Sequence, residues 1–114
     1  MIIYNAEING ELKTVKLDGG KIVSVEPDTG RGDIDAGGNL LLPGLIDVHT
    51  HGCIGMDTMD ADFAPMCRFY AEHGTTSFLP TTMTMGYDAL ERVTQAKTDF
   101  SGAEILGFHF EGPY

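Results

Sequence analysis

The segment "LLLPGLIDVHTHGC", residues 40–53, joins an apolar run, a Pro-Gly break and two histidines two positions apart. An apolar strand that runs straight into two imidazoles and then Gly52 makes a poor surface segment, because its other positions require burial. Side chains two apart in a strand share a face, so His49 and His51 project together, with Asp47 and Leu45 in the same row. A His-x-His pair standing alone also occurs as a chance surface pair; here the flanks favour convergence on one ion.

From Pro43 onward, strand and helix patterns alternate, which predicts βαβ units and a parallel sheet buried on both faces. "LIDVHTH" is the first strand. A helix follows at about 62–73, because Phe63, Met66, Cys67 and Tyr70 fall on one face, with Asp60 or Asp62 to cap its start and Gly74 its end. "TTSFLPTT" supplies the second strand, Tyr87, Leu90 and Val93 mark a second helix at about 86–98, and "AEILGFHF" is the third strand. At the end of that strand His109 and Glu111 share a face, while Phe108 and Phe110 take the other. Both His/Glu rows precede loops, "GCIGMD" and "GPY", at the edge where parallel α/β folds place their active sites. Neutral imidazole and carboxylate are the donors of a Zn²⁺ or Fe²⁺ hydrolytic site, which typically keeps a position open for water.

Other residues carry competing readings. Glu111 is read as a ligand in preference to a rim carboxylate, and His109 stays open between ligand and satisfied core histidine. Asp47 either orients a ligating imidazole or bonds the loop of a neighbouring strand. His73, before Gly74, compensates a helix dipole. Cys53 is a packing thiol and not a soft ligand, and Met83 and Met85 in "TTMTMGY" are core and loop filler.

Residues 1–42 follow a different grammar of short strands and turns: "MIIYNAEI", "KTVKL" and "KIVSVEP", with Asp18-Gly19-Gly20 as a hairpin signal between the last two. "DTGRGD" and "DAGGN" are turn chemistry around this small β unit.

Composition narrows the function. The 114 residues carry 17 acids against 7 bases, a net charge of −10, and no basic cluster that would track a phosphate backbone, so no nucleic-acid partner is expected. No apolar run approaches the roughly 18–20 residues of a bilayer span, so no membrane partner is expected either. Two unevenly spaced cysteines and a start without a signal-peptide pattern predict a reducing cytoplasm.

Taken together, "LLPGLIDVHTHG", "HGTTSFLPTTMT" and "ILGFHFEGPY" closely resemble the opening third of the amidohydrolase superfamily. The Thr-Ser-Phe-Leu-Pro-Thr strand and the His-x-Glu-Gly-Pro ending resemble, within it, the branch that deacetylates N-acetylglucosamine 6-phosphate. The resemblance implies an α/β fold: residues 43–114 as the first three strands and two helices of a TIM-like (β/α)₈ metal-dependent hydrolase barrel, and residues 1–42 as part of a small β-sandwich. It implies metal ligation by Glu111, with His49 and His51 supplying a second metal position, so one or two ions, Zn or Fe, in the complete enzyme. Two further ligating histidines and the aspartate that acts as general base would lie beyond Tyr114, so no catalytic residue is expected within this chain. An N-terminal fragment of this kind is expected to be inactive alone and to self-associate through open strand edges, the parent being a homo-oligomer, a dimer, that takes a small amino-sugar phosphate. The alternatives are a dihydroorotase-like or dipeptidase-like amidohydrolase, and a non-catalytic small metal-binding module.

Overall fold

The structure, a computed structural model, describes residues 1–112. It divides into two compact units, Met1–Pro43 and Gly44–Tyr114. The sequence-predicted loop "GPY" is described only at Gly112; Pro113 and Tyr114 lie outside the described residues.

In the first unit, strands β1 (Ile2–Ile8), β2 (Glu11–Asp18), β3 (Lys21–Pro27) and β4 (Ile34–Asp35) form one sheet in the order β3-β2-β1-β4. β1 to β3 are antiparallel neighbours joined by two-residue turns, Asn9-Gly10 and Gly19-Gly20, and all four turn residues have positive φ. That is the backbone a right-twisted hairpin needs, which is why Asn and Gly occupy it. β2 starts at Glu11, two residues before the expected "KTVKL", because the Asn9-Gly10 turn sets the register.

Asn5 sits at φ 54 inside β1, where the pairing with β2 slips between Ile3 and Ala6. Asp28 holds this kink: Oδ1 accepts the Asn5 N–H at 2.8 Å and the buried Thr14 hydroxyl at 3.0 Å. The Asn5 N–H is the chief reason that the Asp28 carboxyl titrates below its ordinary range, burial opposing it and the Thr14 hydroxyl adding to it. A carboxylate whose folded pKa is depressed contributes stability above the unfolded value, about 3.9, and that contribution is lost as the pH falls through the folded value. Asp28→Ala is therefore expected to lower the thermal midpoint at pH 7 and to flatten its decline below about pH 4. Circular-dichroism melts across that range check both; an unchanged acid limb would discard the assignment.

In the second unit, β5 (Leu45–Thr50), β8 (Thr75–Pro80) and β9 (Glu104–Ile105) form a parallel sheet in the order β5-β8-β9. Between β5 and β8 lie the two-residue strands β6 (Gly52–Cys53) and β7 (Met56–Asp57), a 3₁₀ turn (Thr58–Asp60) and helix α1 (Ala64–Glu72). Helix α2 (Tyr87–Thr94) joins β8 to β9. Phe63, Met66, Cys67, Tyr70, Phe78, Val93 and Ala103 form the core, with the Tyr70 and Phe78 rings 4.6 Å apart. The apolar face read from the spacing of α1 is thus the buried one.

Several expected boundaries shift for identifiable reasons. Neither Asp60 nor Asp62 caps α1; Phe63 is its N-cap, with a proline in the first turn. Asp60 is committed to the preceding 3₁₀ turn, where it and Asp57 form a reciprocal capping box, and Ala61 leaves that turn at φ 60. α2 ends at Thr94 and not near 98, and of its three marker residues Leu90 and Val93 are buried whereas Tyr87, the first residue of the helix, is 67% exposed. Met83 and Met85 are exposed, so they belong to the loop and not to the core.

The third strand is shorter than expected. Ile105 pairs with Phe78 and His109 with Thr81, so four steps on one strand oppose three on β8. The extra residue is a bulge, which interrupts the ladder after Ile105 and lets it resume at His109. Nor is the sheet covered on both faces: on edge strand β5, Leu45, Ile46 and Val48 are 61%, 61% and 58% exposed. α1 packs against the central strand β8 and α2 against the 3₁₀ turn, and among the described residues neither helix covers these three side chains.

Candidate metal centre

β5 delivers His49 at its last turn of pleat and His51 just past its end, while the chain after the β9 bulge delivers His109 and Glu111. His49 Nε2 and His51 Nε2 lie 3.4 Å apart, His51 Nε2 lies 2.8 Å from Glu111 Oε2, and His49 Nε2 lies 3.7 Å from the same oxygen. Donors about 2.1 Å from one ion at the tetrahedral angle are separated by about 3.4 Å, so the triangle has the dimensions of three legs of a tetrahedral site.

Hydrogen bonding fixes which lone pairs face inward. His51 Nδ1 lies 3.1 Å from the Thr81 carbonyl oxygen, which only accepts, so Nδ1 carries the proton and Nε2 of the neutral ring presents a lone pair to Glu111. Two lone pairs at 2.8 Å repel unless a positive centre stands beside them. The donor chemistry therefore fits a divalent ion; a proton shared with Glu111 is the other positive charge that would satisfy it.

His109 lies outside the triangle. Its Nδ1–H donates to the Val48 carbonyl at 2.9 Å and its ring packs 4.5 Å from that of His49, so it forms a wall beside the donors. The Asp47 carboxylate accepts the His49 backbone N–H at 3.0 Å, a role different from both of those considered for it. His73 donates Nδ1–H to the Phe69 carbonyl at 2.7 Å at the end of α1, which satisfies a terminal helix carbonyl. Cys53 is half-buried against the core and burial pushes its thiol up, away from the reactive thiolate form.

The residues that hold the triangle are ones that sequence reading did not assign to the site. Tyr70, on α1, bonds Thr50 Oγ1 at 2.5 Å and donates to the Gly52 carbonyl at 3.2 Å, gripping both neighbours of His51. The Thr58 N–H donates to the His51 carbonyl at 2.7 Å. Thr81, Thr82 and Thr84, from the exit of β8, bond His51 and the Glu111 backbone. The visible signal was three threonines in four residues directly after a buried strand. The hairpin beside the triangle turns through Ile54 at φ 49 and Gly55 at φ 80, with Ile54 exposed.

The model of the Amidohydrolase family matches residues 40–114, which contain the whole triangle. The chain belongs to the amidohydrolase family. It is 38% identical over 123 residues to the N-acetylglucosamine-6-phosphate deacetylase of Lysinibacillus sphaericus, an alignment that takes in 98% of this chain and 32% of that protein. It is 44% identical over 87 residues to the enzyme of the same name from Bacillus subtilis strain 168, covering 67% of this chain and 22% of the relative. The crystal structure of N-acetylglucosamine-6-phosphate deacetylase from Thermotoga maritima superposes with a TM-score of 0.75 at 33% identity, over 100% of this chain and 32% of that one. The chain thus spans about a third or less of the length of these relatives. No helix among the described residues is long and apolar enough to cross a membrane.

Proposed function

We propose that this chain contributes His49, His51 and Glu111 as ligands to a divalent ion, Zn or Fe, in an enzyme that removes the acetyl group from N-acetylglucosamine 6-phosphate. The observation that carries the reading is the 2.8–3.7 Å triangle of two imidazole nitrogens and a carboxylate oxygen, in a chain whose relatives bear that activity in their names. On this reading Gly44–Tyr114 is the first part of a (β/α)₈ barrel and Met1–Pro43 part of a β-sandwich. One ion or two would serve in the complete enzyme.

When bound, the ion would supply Lewis acidity, lowering the pKa of water and polarising the amide carbonyl. The chain's own part is positional. His51, its Nδ1 proton held by Thr81, keeps Nε2 free as a donor, and Glu111 supplies the negative charge that retains a dication. His109, held through Nδ1 by Val48, closes one flank of the donors. None of the 114 residues is assigned as general base.

The test is acetate release from N-acetylglucosamine 6-phosphate by the whole protein, after exhaustive chelation and after return of Zn²⁺. Turnover should vanish on chelation and return with metal. Undiminished turnover in the chelated protein would overturn the metal assignment. Hydrolysis of dihydroorotate or of a dipeptide in place of the acetamide would move the enzyme to a different branch of the family.

A further inference from the structure

The strand ladder that should place Glu111 stops at His109, one rung short of it. His109 is held in register by two ladder bonds, its N–H to the Pro80 carbonyl at 3.0 Å and its carbonyl from the Thr82 N–H at 2.9 Å. The next rung of a parallel ladder would run from the Glu111 N–H to the Thr82 carbonyl. Instead the Glu111 N–H reaches the Thr82 hydroxyl at 3.4 Å, and the Glu111 carbonyl accepts from the Thr84 hydroxyl at 2.6 Å. Side-chain hydroxyls thus replace backbone rungs at the one residue whose carboxylate closes the triangle. The same four-residue run grips the opposite corner, since the Thr81 carbonyl takes the His51 Nδ1 proton.

We infer that Thr84 is a positioning residue for metal uptake: its hydroxyl fixes the Glu111 backbone and thereby the distance from the carboxylate to His51. The inference rests on the metal reading above. Of the two hydroxyls, that of Thr84 makes the shorter bond, and Thr84 is exposed, whereas Thr82 is fully buried. An exposed hydroxyl bonded to a loop carbonyl contributes little to global stability, so an effect on the metal is separable from an effect on folding. Gly112 follows Glu111 at φ 109, and a Cβ there would press on the Thr84 side chain, so the close approach of the two segments depends on that glycine.

The experiment is competitive Zn²⁺ titration of the metal-free whole protein, with Thr84→Val and Thr84→Ser beside wild type, and thermal melts of the same metal-free samples. Thr84→Val removes the hydroxyl at nearly constant shape. It should weaken Zn²⁺ binding about tenfold, within the range found when a group that orients a metal ligand is removed. Thr84→Ser should bind within about twofold of wild type, and the three metal-free proteins should melt together. The visible spectrum of the Co²⁺-loaded proteins should change in Thr84→Val and not in Thr84→Ser. Wild-type affinity in Thr84→Val, failure of serine to restore it, or a parallel loss of metal-free stability would each overturn the positioning role while leaving the metal site intact. A wild-type protein that takes up no metal would overturn the metal reading, and this inference with it.

Discussion

Glu111→Ala is expected to weaken Zn²⁺ binding by more than about a hundredfold, a larger loss than removal of an orienting partner produces. The carboxylate is the only anionic corner of a triangle whose other two corners are neutral imidazoles, so its loss removes a donor and the charge that balances the dication. Its side chain is half exposed and lies outside the buried core, so the metal-free variant should fold as wild type does. The decisive comparison is the rise in thermal midpoint on adding Zn²⁺. At a metal concentration of about 100 Kd, linkage gives the wild type about 2.7 kcal/mol. The variant, more than about a hundredfold weaker, should gain less than about 0.4 kcal/mol at the same concentration. Glu111→Gln, equal in size and uncharged, should fall with alanine, and His51→Ala should lose affinity comparably. Zn²⁺-induced stabilisation that persists in all three variants would mean the triangle is an imidazolium–carboxylate cluster and not a metal site.

The second large effect is one of backbone shape. Gly52, directly after His51, has φ 142, and a Cβ at this position would be driven into the Met56 carbonyl oxygen, with Asp57 Cα 3.0 Å away. These are backbone atoms of the facing strand, so no side chain can rotate to make room. Gly52→Ala should cost about 3–5 kcal/mol, because backbone strain and overpacking each cost about 1–3 kcal/mol and both act here. It should also abolish metal uptake, because parting the Gly52–Asp57 pair withdraws the Thr58 N–H from the His51 carbonyl. Gly55→Ala in the same hairpin is the control: φ is also positive, at 80, but nothing lies within 4 Å of its Cβ. It should cost about 1 kcal/mol and leave the metal in place. Urea unfolding with Zn²⁺ titration of both variants checks the pair, and equal costs would discard the steric argument.

What the sequence revealed depended on periodicity. Phe63, Met66, Cys67 and Tyr70 announced a buried helix face because i, i+3, i+4, i+7 spacing has one physical meaning, and the two-residue alternation of His49 and His51 did the same for the strand end. Local competition was not legible. Asp60 looked like the cap of α1 because a carboxylate stood near the right place, yet a nearer backbone N–H, that of Asp57, had claimed it. The bulge between Ile105 and His109 was marked only by Gly107, and its exact place was not legible, since an extra unpaired residue is defined by the partner strand and not by its own side chain. The threonines that hold the triangle were visible as a cluster but not as site residues, because β-branched residues at a strand exit satisfy strand propensity whether or not their hydroxyls are used.

The order β5-β8-β9 places β8, which contributes no donor, between the strand that carries the histidines and the segment that carries the carboxylate. The triangle therefore exists only once the middle strand has docked on both sides and a loop of some sixty residues has closed, the slow and entropically costly kind of contact. During refolding the metal should be captured last, so the moment of its uptake timestamps completion of the sheet. A divalent ion added early would find a denatured chain whose partial ligand sets can bind it wrongly. Renaturation should thus proceed more cleanly in chelator, with the ion supplied at the end.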